Sequence, residues 1–346
     1  MKYILCQPAI LRFKWELEVC ITRLQKLGIQ DIILLFTQGD DDIPKYFKFL
    51  GCEVHVYQDN RADKSYIPSI KPYLWMMYLE EDSSRENGSY FYLDSDVLLR
   101  EIPKVRPTKK MWYASDCRGY IGNQYIDSKG ERLLEDMCRA IGIDHPFIRK
   151  KDPVGGAQWA IKNPSYAYWK KVYQDSITLY KLLDQTNTDI QKWTAEMWAQ
   201  LWNVYHFGID VKVPEEMNFS WPTDPVQKYY ETKIFHNAGV VDDHQSLFFK
   251  GKYVDHTPFE DDLSHVNQEK ASIKYVEAIK EVRPLAKAKY IVLESFKDLE
   301  EDKDYEKDKP FPRPANKKII QERLDELASS NNKAGRPLIK KIEEQG

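Results

Sequence analysis

The chain has little cysteine and no ordered arrangement of it. Five cysteines in 346 residues (Cys6, Cys20, Cys52, Cys117 and Cys138) are scattered and odd in number. No CxxC pair or Cys/His cluster occurs, which excludes a zinc framework or a disulfide scaffold. They read as small buried hydrophobes in a reducing compartment. No apolar run approaches twenty residues, so no membrane-spanning helix is expected. Charge of one sign is also missing: 51 basic and 54 acidic residues leave a net charge of −3, which points neither to nor away from nucleic acid. Met1-Lys2-Tyr3-Ile4-Leu5-Cys6-Gln7-Pro8 has only a short apolar stretch and no small-residue cleavage site, so it does not read as a signal peptide and a cytoplasmic location is expected. The glycine pair Gly155-Gly156 lacks the rest of a dinucleotide fingerprint.

Aromatics, at 13%, and hydrophobics, at 42%, suffice for a large core. Alternating patterns order it. Strands are expected at 3–7, 31–36 and 53–57, with helices at 17–27 and 43–50 that stop at Gly28 and Gly51. This βαβαβ start implies a parallel sheet with right-handed crossovers. A helix over 69–80 and a strand from Tyr90 follow, then a strand at 111–114, a helix over 129–141, and a glycine turn entering a strand at 154–161. Helices are expected at 165–183 and 194–203, and a strand at 233–236. From about residue 260 aromatics thin out and Lys/Glu/Asp blocks take over, including 297–309 and the proline-rich 310–314. The expected organisation is a catalytic domain over 1–262, with a nucleotide-binding half at about 1–110 and an acceptor half at about 111–262. A charged, partly helical extension covers 263–346.

The chemistry is concentrated in Tyr90-Phe91-Tyr92-Leu93-Asp94-Ser95-Asp96-Val97-Leu98-Leu99. An apolar strand breaks once for two carboxylates two residues apart. Buried carboxylates need a partner or a cation, and side chains at i and i+2 of a strand share a face. Oxygen ligation favours Mg2+ or Mn2+, which share their shell with substrate phosphates. The alternative is a solvent-exposed turn at a strand end. His236, before Asn237-Ala238-Gly239, is a candidate metal ligand or a structural histidine. Gly239, Lys250 and Lys252 are candidates to approach phosphate oxygens. Gly155 and Gly156 either admit a ligand to the backbone or make a tight turn. Glu196, behind a Thr194 N-cap, either compensates the helix dipole or binds sugar hydroxyls. Trp193, Trp198 and Trp202 read as mostly core, though one exposed face would suit a sugar or a base.

These pieces, in this order, resemble the GT-A nucleotide-sugar glycosyltransferases. The resemblance rests on Ser69-Ile70-Lys71-Pro72, Tyr92-Leu93-Asp94-Ser95-Asp96, Pro153-Val154-Gly155-Gly156-Ala157-Gln158, Thr194-Ala195-Glu196-Met197-Trp198 and Phe235-His236-Asn237. It covers about 1–262 and extends to peptide serine galactosyltransferase and hydroxyproline arabinosyltransferase relatives and to glycosyltransferases ascribed to tailed phages. It implies an α/β, GT-A-like (Rossmann-like) fold with a mostly parallel central sheet flanked by helices and a charged helical C-terminal extension. It implies a UDP-sugar donor, metal ligation by Asp94, Asp96 and His236, and contacts to donor or acceptor from Gln158 and Glu196. Asp94 would also touch the ribose, and Lys71 would reach the diphosphate. The stretch after His236 lacks the Gly-x-x-Lys-Pro-Trp ending of related galactosyltransferases, so the resemblance does not single out a phosphate lysine. The family resemblance implies retaining transfer of glucose, galactose or arabinose, and the phage relatives imply a hydroxymethylated pyrimidine in double-stranded DNA as acceptor. Arg149-Lys150-Lys151 and Lys333-Ala334-Gly335-Arg336-Pro337 are the candidate phosphate and groove contacts. Protein or glycan acceptors are the alternative. A haloacid-dehalogenase phosphatase, whose nucleophile opens an Asp-x-Asp strand, and a non-catalytic nucleotide-sugar-binding protein are the competing classes. Three strands precede the carboxylates here, which counts against the phosphatase.

Overall fold

The computed structural model describes residues 1–242, 245–282, 290–299, 302–313 and 321–342. Residues 300, 301 and 314, within the charged and proline-rich stretches noted above, lie outside these. The chain divides into two compact units, Met1–Ala278 and Ile279–Gly346.

The first unit is built on a seven-stranded sheet in the order β3-β2-β1-β4-β7-β6-β8. Its opening is the expected βαβαβ: β1 (Lys2–Pro8), α1 (Leu11–Lys26), β2 (Ile32–Thr37), α2 (Asp42–Phe49) and β3 (Glu53–Tyr57). Gly28 and Gly51 end the two helices with φ of +80° and +86°, a left-handed conformation that costs glycine nothing. The three strands are parallel, with Tyr3 beside Ile32 and Ile33 beside Glu53. β2 is buried along its whole length, as a parallel strand covered on both faces should be.

Helix α3 (Ile70–Glu81) returns the chain to β4 (Ser89–Tyr92), which pairs parallel with β1 and occupies the middle of the sheet. The expected single strand through the carboxylates is in fact two. β4 stops at Tyr92, a turn spans 93–96, and β5 (Val97–Leu99) belongs to a different sheet. The acids therefore sit on a turn, and their convergence does not come from a strand pleat. β6 (Met111–Asp116) leads through α4 (Arg118–Ile121), α5 (Asn123–Asp127), α6 (Leu133–Ala140) and α7 (His145–Lys151) to β7 (Gly155–Lys162). Residues 129–132, expected to begin a helix, form turns instead.

β7 runs antiparallel to both β4 and β6, inserting between them. Gly155 and Gly156 fit here because a Cβ on the first would stand 2.9 Å from Val211 and 3.0 Å from the Ala114 Cβ, and on the second 2.7 Å from Met197. Their bareness serves packing. Helices α8 (Tyr166–Gln185) and α9 (Ala195–His206) lie with α3 on one side of the sheet. Trp75 of α3 stacks on Trp169 of α8 at 4.8 Å and 4°, and meets Tyr90 and Tyr92 edge-on. β8 (Asp210–Lys212) closes the sheet beside β6. Then β9 (Phe219–Ser220), α10 (Val226–Glu231) and β10 (Ile234–His236) build the small sheet β5-β10-β9.

Helix α11 (Ser272–Val282) follows. Its Tyr275 is buried against Trp15, Phe248 and Phe235, with ring centroids 5.3–6.5 Å apart. Residues beyond the expected boundary at 262 thus help build the core of the first unit. The second unit carries short strands β11 (Tyr290–Val292), β12 (Phe296–Asp298), β13 (Lys303–Tyr305), β14 (Pro310–Phe311) and β15 (Ile339–Lys341), with helix α12 (Gln321–Ala328). Tyr290, Val292, Tyr305, Phe311, Leu327, Leu338 and Ile339 form its own core. The charge blocks hide these strands, because the apolar residues recur singly. All five cysteines are free and buried, as expected, and no helix among the described residues is long and apolar enough to cross a membrane.

Two outcomes follow from this packing. The Tyr275 hydroxyl is buried with no hydrogen-bond partner among the described residues. Tyr275→Phe should therefore be neutral or stabilising in urea unfolding, whereas Tyr275→Ala should cost about 3–5 kcal/mol, as for other buried aromatics. On α1, burial pushes the Glu18 carboxyl up from 4.5 to about 7, against the pull of Lys14 3.8 Å away. The native state then holds this proton more tightly than the unfolded chain. Its contribution is complete below about pH 4.5 and is lost as pH rises through about 7. Glu18→Gln should gain on the order of 1–3 kcal/mol over the parent at pH 8 and little at pH 4.

Candidate functional site

The turn 93–96 leaves the C-terminal end of the central strand, where open α/β sheets present ligand sites. Pairing in the second sheet then delivers the third partner. β10 runs antiparallel to β5 with His236 opposite Val97, so the imidazole arrives beside Asp96. The Asn237 backbone N–H donates to the Asp96 carbonyl at 2.9 Å and locks the approach. His236 Nε2 lies 3.3 Å from Asp96 Oδ1 and 4.0 Å from Asp94 Oδ2. One ligand atom from each of Asp94, Asp96 and His236 falls within 4.8 Å of the others.

Ligands about 2.1 Å from one ion and at right angles to each other stand about 3 Å apart, so two carboxylates and an imidazole at these separations suit a divalent cation. Asp96 and His236 are buried and Asp94 is half-buried, which leaves an open side. Asn237, 1% exposed, has both ends of its amide without a partner among the described residues, leaving a polar group beside His236 for a ligand. The residues present therefore fit a metal, and their chemistry does not discriminate Mn2+ from Mg2+.

The electrostatics are those of a site built for charge. Burial works against ionisation of Asp96, but Lys250 and His236 overcome it and hold the carboxyl well below the usual range. Lys250 Nζ contacts Asp96 Oδ2 directly. Lys71, second residue of α3, bridges Asp94 Oδ1 at 3.2 Å and Glu196 Oε1 at 2.9 Å. Burial opposes its charge, yet Asp94 and Glu196 hold the ammonium well above its ordinary value. Glu196 Oε2 accepts from the Tyr66 hydroxyl at 2.6 Å.

Gln158 reaches the site from beneath. The register between β6 and β7 shifts at Ala114/Ser115, and Ala157 takes φ of +54°. Such bulges re-aim a side chain. The fully buried Gln158 amide meets His236 Nδ1 at 3.0 Å and Ser115 Oγ at 2.7 Å. The amide Nε2 faces Nδ1 and its Oε1 accepts from Ser115, so Gln158 donates to the ring at Nδ1 while the ring's own Nε2 faces the carboxylates. Gln158 thus stands behind the histidine and orients it.

The structure brings together Asp94, Asp96, His236, Gln158, Lys71, Glu196 and Lys250. Gly239, exposed with φ of +82°, turns the chain beside Trp221. Thr194 does not cap α9; its hydroxyl donates to the Gln191 carbonyl at 2.8 Å. Trp198 and Trp202 are fully buried, while Trp193 is 60% exposed. Three of the basic residues considered for DNA are in ion pairs. Arg149 pairs with Asp127 at 2.5 Å, Lys151 with Asp210 at 2.5 Å, and Arg336 with Glu294 at 2.7 Å.

Sequence reasoning missed Tyr66, Trp221 and the support under the turn. Ser95, between the two acids, donates to the buried Glu16 at 2.7 Å and accepts from Gln7 at 3.0 Å. A serine flanked by two site acids is a usable signal for such a tether. Tyr66 and Trp221 carry none.

No family model matches the chain, and no curated protein sequence is similar to it. Among solved structures it is similar to galactosyltransferase LgtC in complex with donor and acceptor sugar analogues, at 13% identity and a TM-score of 0.46, over 81% of this chain and 95% of that one. It is also similar to the bifunctional glycosyltransferase WbbM, at 9% identity and TM-score 0.41, over 80% of this chain and 49% of that one. The glycosyltransferase GlyE from Streptococcus pneumoniae TIGR4 is similar at 9% identity and TM-score 0.41, over 81% of this chain and 60% of that one. The chain thus spans about half the length of WbbM.

The Gln158 placement gives a direct test. Partners that orient a ligating histidine are typically worth about 10- to 100-fold in metal affinity. Gln158→Met, close in volume, should weaken Mn2+ binding by that factor in calorimetric titration. Unchanged affinity would leave Gln158 a packing residue.

Proposed function

We propose that the chain is a metal-dependent glycosyltransferase that moves a sugar from a UDP-sugar to an acceptor hydroxyl. The observation that carries this reading is the convergence of four stretches far apart in sequence. Asp94/Asp96, Gln158, Glu196 and His236 meet at the end of the central strand, in one connected cluster.

In this reading Asp94, Asp96 and His236 hold a divalent cation. When bound, the cation supplies positive charge to the leaving diphosphate. The protein's own groups do the rest. Lys71 and Lys250 bring two further positive charges to the carboxylates, within reach of phosphate oxygens. Gln158 holds the imidazole from its Nδ1 side. Glu196 has one oxygen on Lys71 and the other on Tyr66, so it serves as a fixed acceptor for sugar hydroxyls and a counter-charge. A carboxylate tied at both oxygens is poorly placed to abstract a proton, which favours a retaining outcome over base-assisted inversion. The acceptor is a hydroxyl compound. A hydroxymethylated pyrimidine in DNA is the nucleic-acid candidate, against glycan or protein.

The experiment is transfer from UDP-glucose and UDP-galactose in Mn2+, followed by UDP release and mass spectrometry, with hydroxymethylated duplex DNA, peptide and saccharide acceptors. Turnover should vanish in EDTA and in Asp96→Ala, and full activity in either would overturn the reading. Glu196→Gln should retain measurable turnover, since a lost general base would cost about 100- to 10,000-fold. The anomeric configuration of the product, by NMR, decides retention.

A further inference from the structure

The chain has nine tryptophans, and seven are fully buried. The two exceptions both stand at the site. Trp221 is half-buried, its ring 6.2 Å from that of His236 and 10° from parallel. Trp193 is 60% exposed and lies just before Glu196. A single exposed apolar side chain is ordinary. Two exceptions that touch partners of one polar cluster, Trp221 at His236 and Trp193 at Tyr66, with the other seven buried, are not.

Trp193 is also held firmly for a residue so exposed. Its carbonyl accepts from the Tyr66 hydroxyl at 2.6 Å, and the same hydroxyl contacts Glu196 at 2.6 Å. Its indole meets the Tyr66 ring edge-on at 6.3 Å and 79°, and Tyr66 in turn stacks on Tyr180 at 4.5 Å and 19°. The ring is braced on one side and open on the other. Such preorganisation lowers the ordering cost of binding a ligand.

Position indicates which ligand part meets it. Contacts run outward from the metal ligands: Asp94 to Lys71, Lys71 to Glu196, Glu196 to Tyr66, Tyr66 to Trp193. With the diphosphate at the Asp94–Asp96–His236 end, Trp193 stands at the other end of this chain of contacts, the end left for an acceptor. An exposed aromatic face three residues before a carboxylate that holds an ammonium matches a pyranose, which has an apolar C–H face and a rim of hydroxyls. A nucleobase would stack as well, but nucleic acid also needs cations for its phosphates. The basic side chains flanking this region in sequence are paired, Lys192 with Asp184 and Lys181 with Asp63.

We infer that Trp193 is the stacking platform for a pyranose ring of the acceptor, and hence that the acceptor is a saccharide. This rests on the transferase reading above. The test uses the full chain with UDP and Mn2+. Maltose, lactose and cellobiose are added singly, and saturation-transfer NMR is read on their ring C–H protons. At least one disaccharide should show transfer. Its affinity should fall about tenfold in Trp193→Ala, the scale of a lost aromatic stack, and recover in Trp193→Phe. The inference is overturned if none of the three gives a signal, if Trp193→Ala binds as well as the parent, or if duplex DNA carrying hydroxymethylcytosine displaces the sugar. UDP binding with Mn2+ is measured alongside by calorimetry. Its failure in the unaltered protein sinks the transferase reading, whereas failure of the sugar arm with UDP bound sinks only this one.

Discussion

Two like charges in a buried turn set the terms for everything around them. Asp94 and Asp96 directly follow the central strand, Asp96 buried and Asp94 half-buried. Burial opposes the ionisation of Asp96. The fold answers with cations and donors from distant segments: Lys71 from α3, Lys250 from beyond β10, and His236 from β10 itself. Each of these is in turn held, Lys71 by Glu196 and His236 by Gln158. The second sheet exists beside the first in a way that lets His236 face Asp96.

Much of the main sheet was readable from periodicity. β1 to β4, α1 to α3, β7, α8 and α9 fall where alternation and helical spacing place them, because each buries a continuous apolar face. The carboxylate pair and the histidine were readable because acids in an apolar run demand an explanation. What stayed hidden depends on long-range pairing. Nothing local to Val97-Leu98-Leu99 says that it leaves the sheet of β4 and joins β10. Nor does any local pattern reveal the bulge that turns Gln158 under the ring. Gly155 and Gly156 read in sequence as a ligand approach or a tight turn, and in the structure a Cβ on either would also crowd Val211, Ala114 or Met197. The strands of the second unit were invisible among its charges.

The aromatic residues divide by role along the same lines. Those of α3, α8 and β4 interlock as core, with Trp75 stacked on Trp169. Tyr66 belongs both to the core and to the site. It is buried, but its hydroxyl ties the entry to α3 to the first turn of α9. Two segments that approach the site from different helices are thereby set in fixed relation, as a site requiring close geometry demands.

The split of Tyr90–Leu99 between two sheets has a kinetic consequence. β4 docks on β1 through contacts made early in the chain, but Asp96 gains Lys250 only across 154 residues. Closing so long a loop is entropically costly, and contacts of high sequence separation form slowly. During synthesis the turn at 93–96 would emerge well before its neutralising partners, with its acids still hydrated. The main sheet can therefore assemble around an unfinished centre, and completion of that centre would be among the last steps of folding.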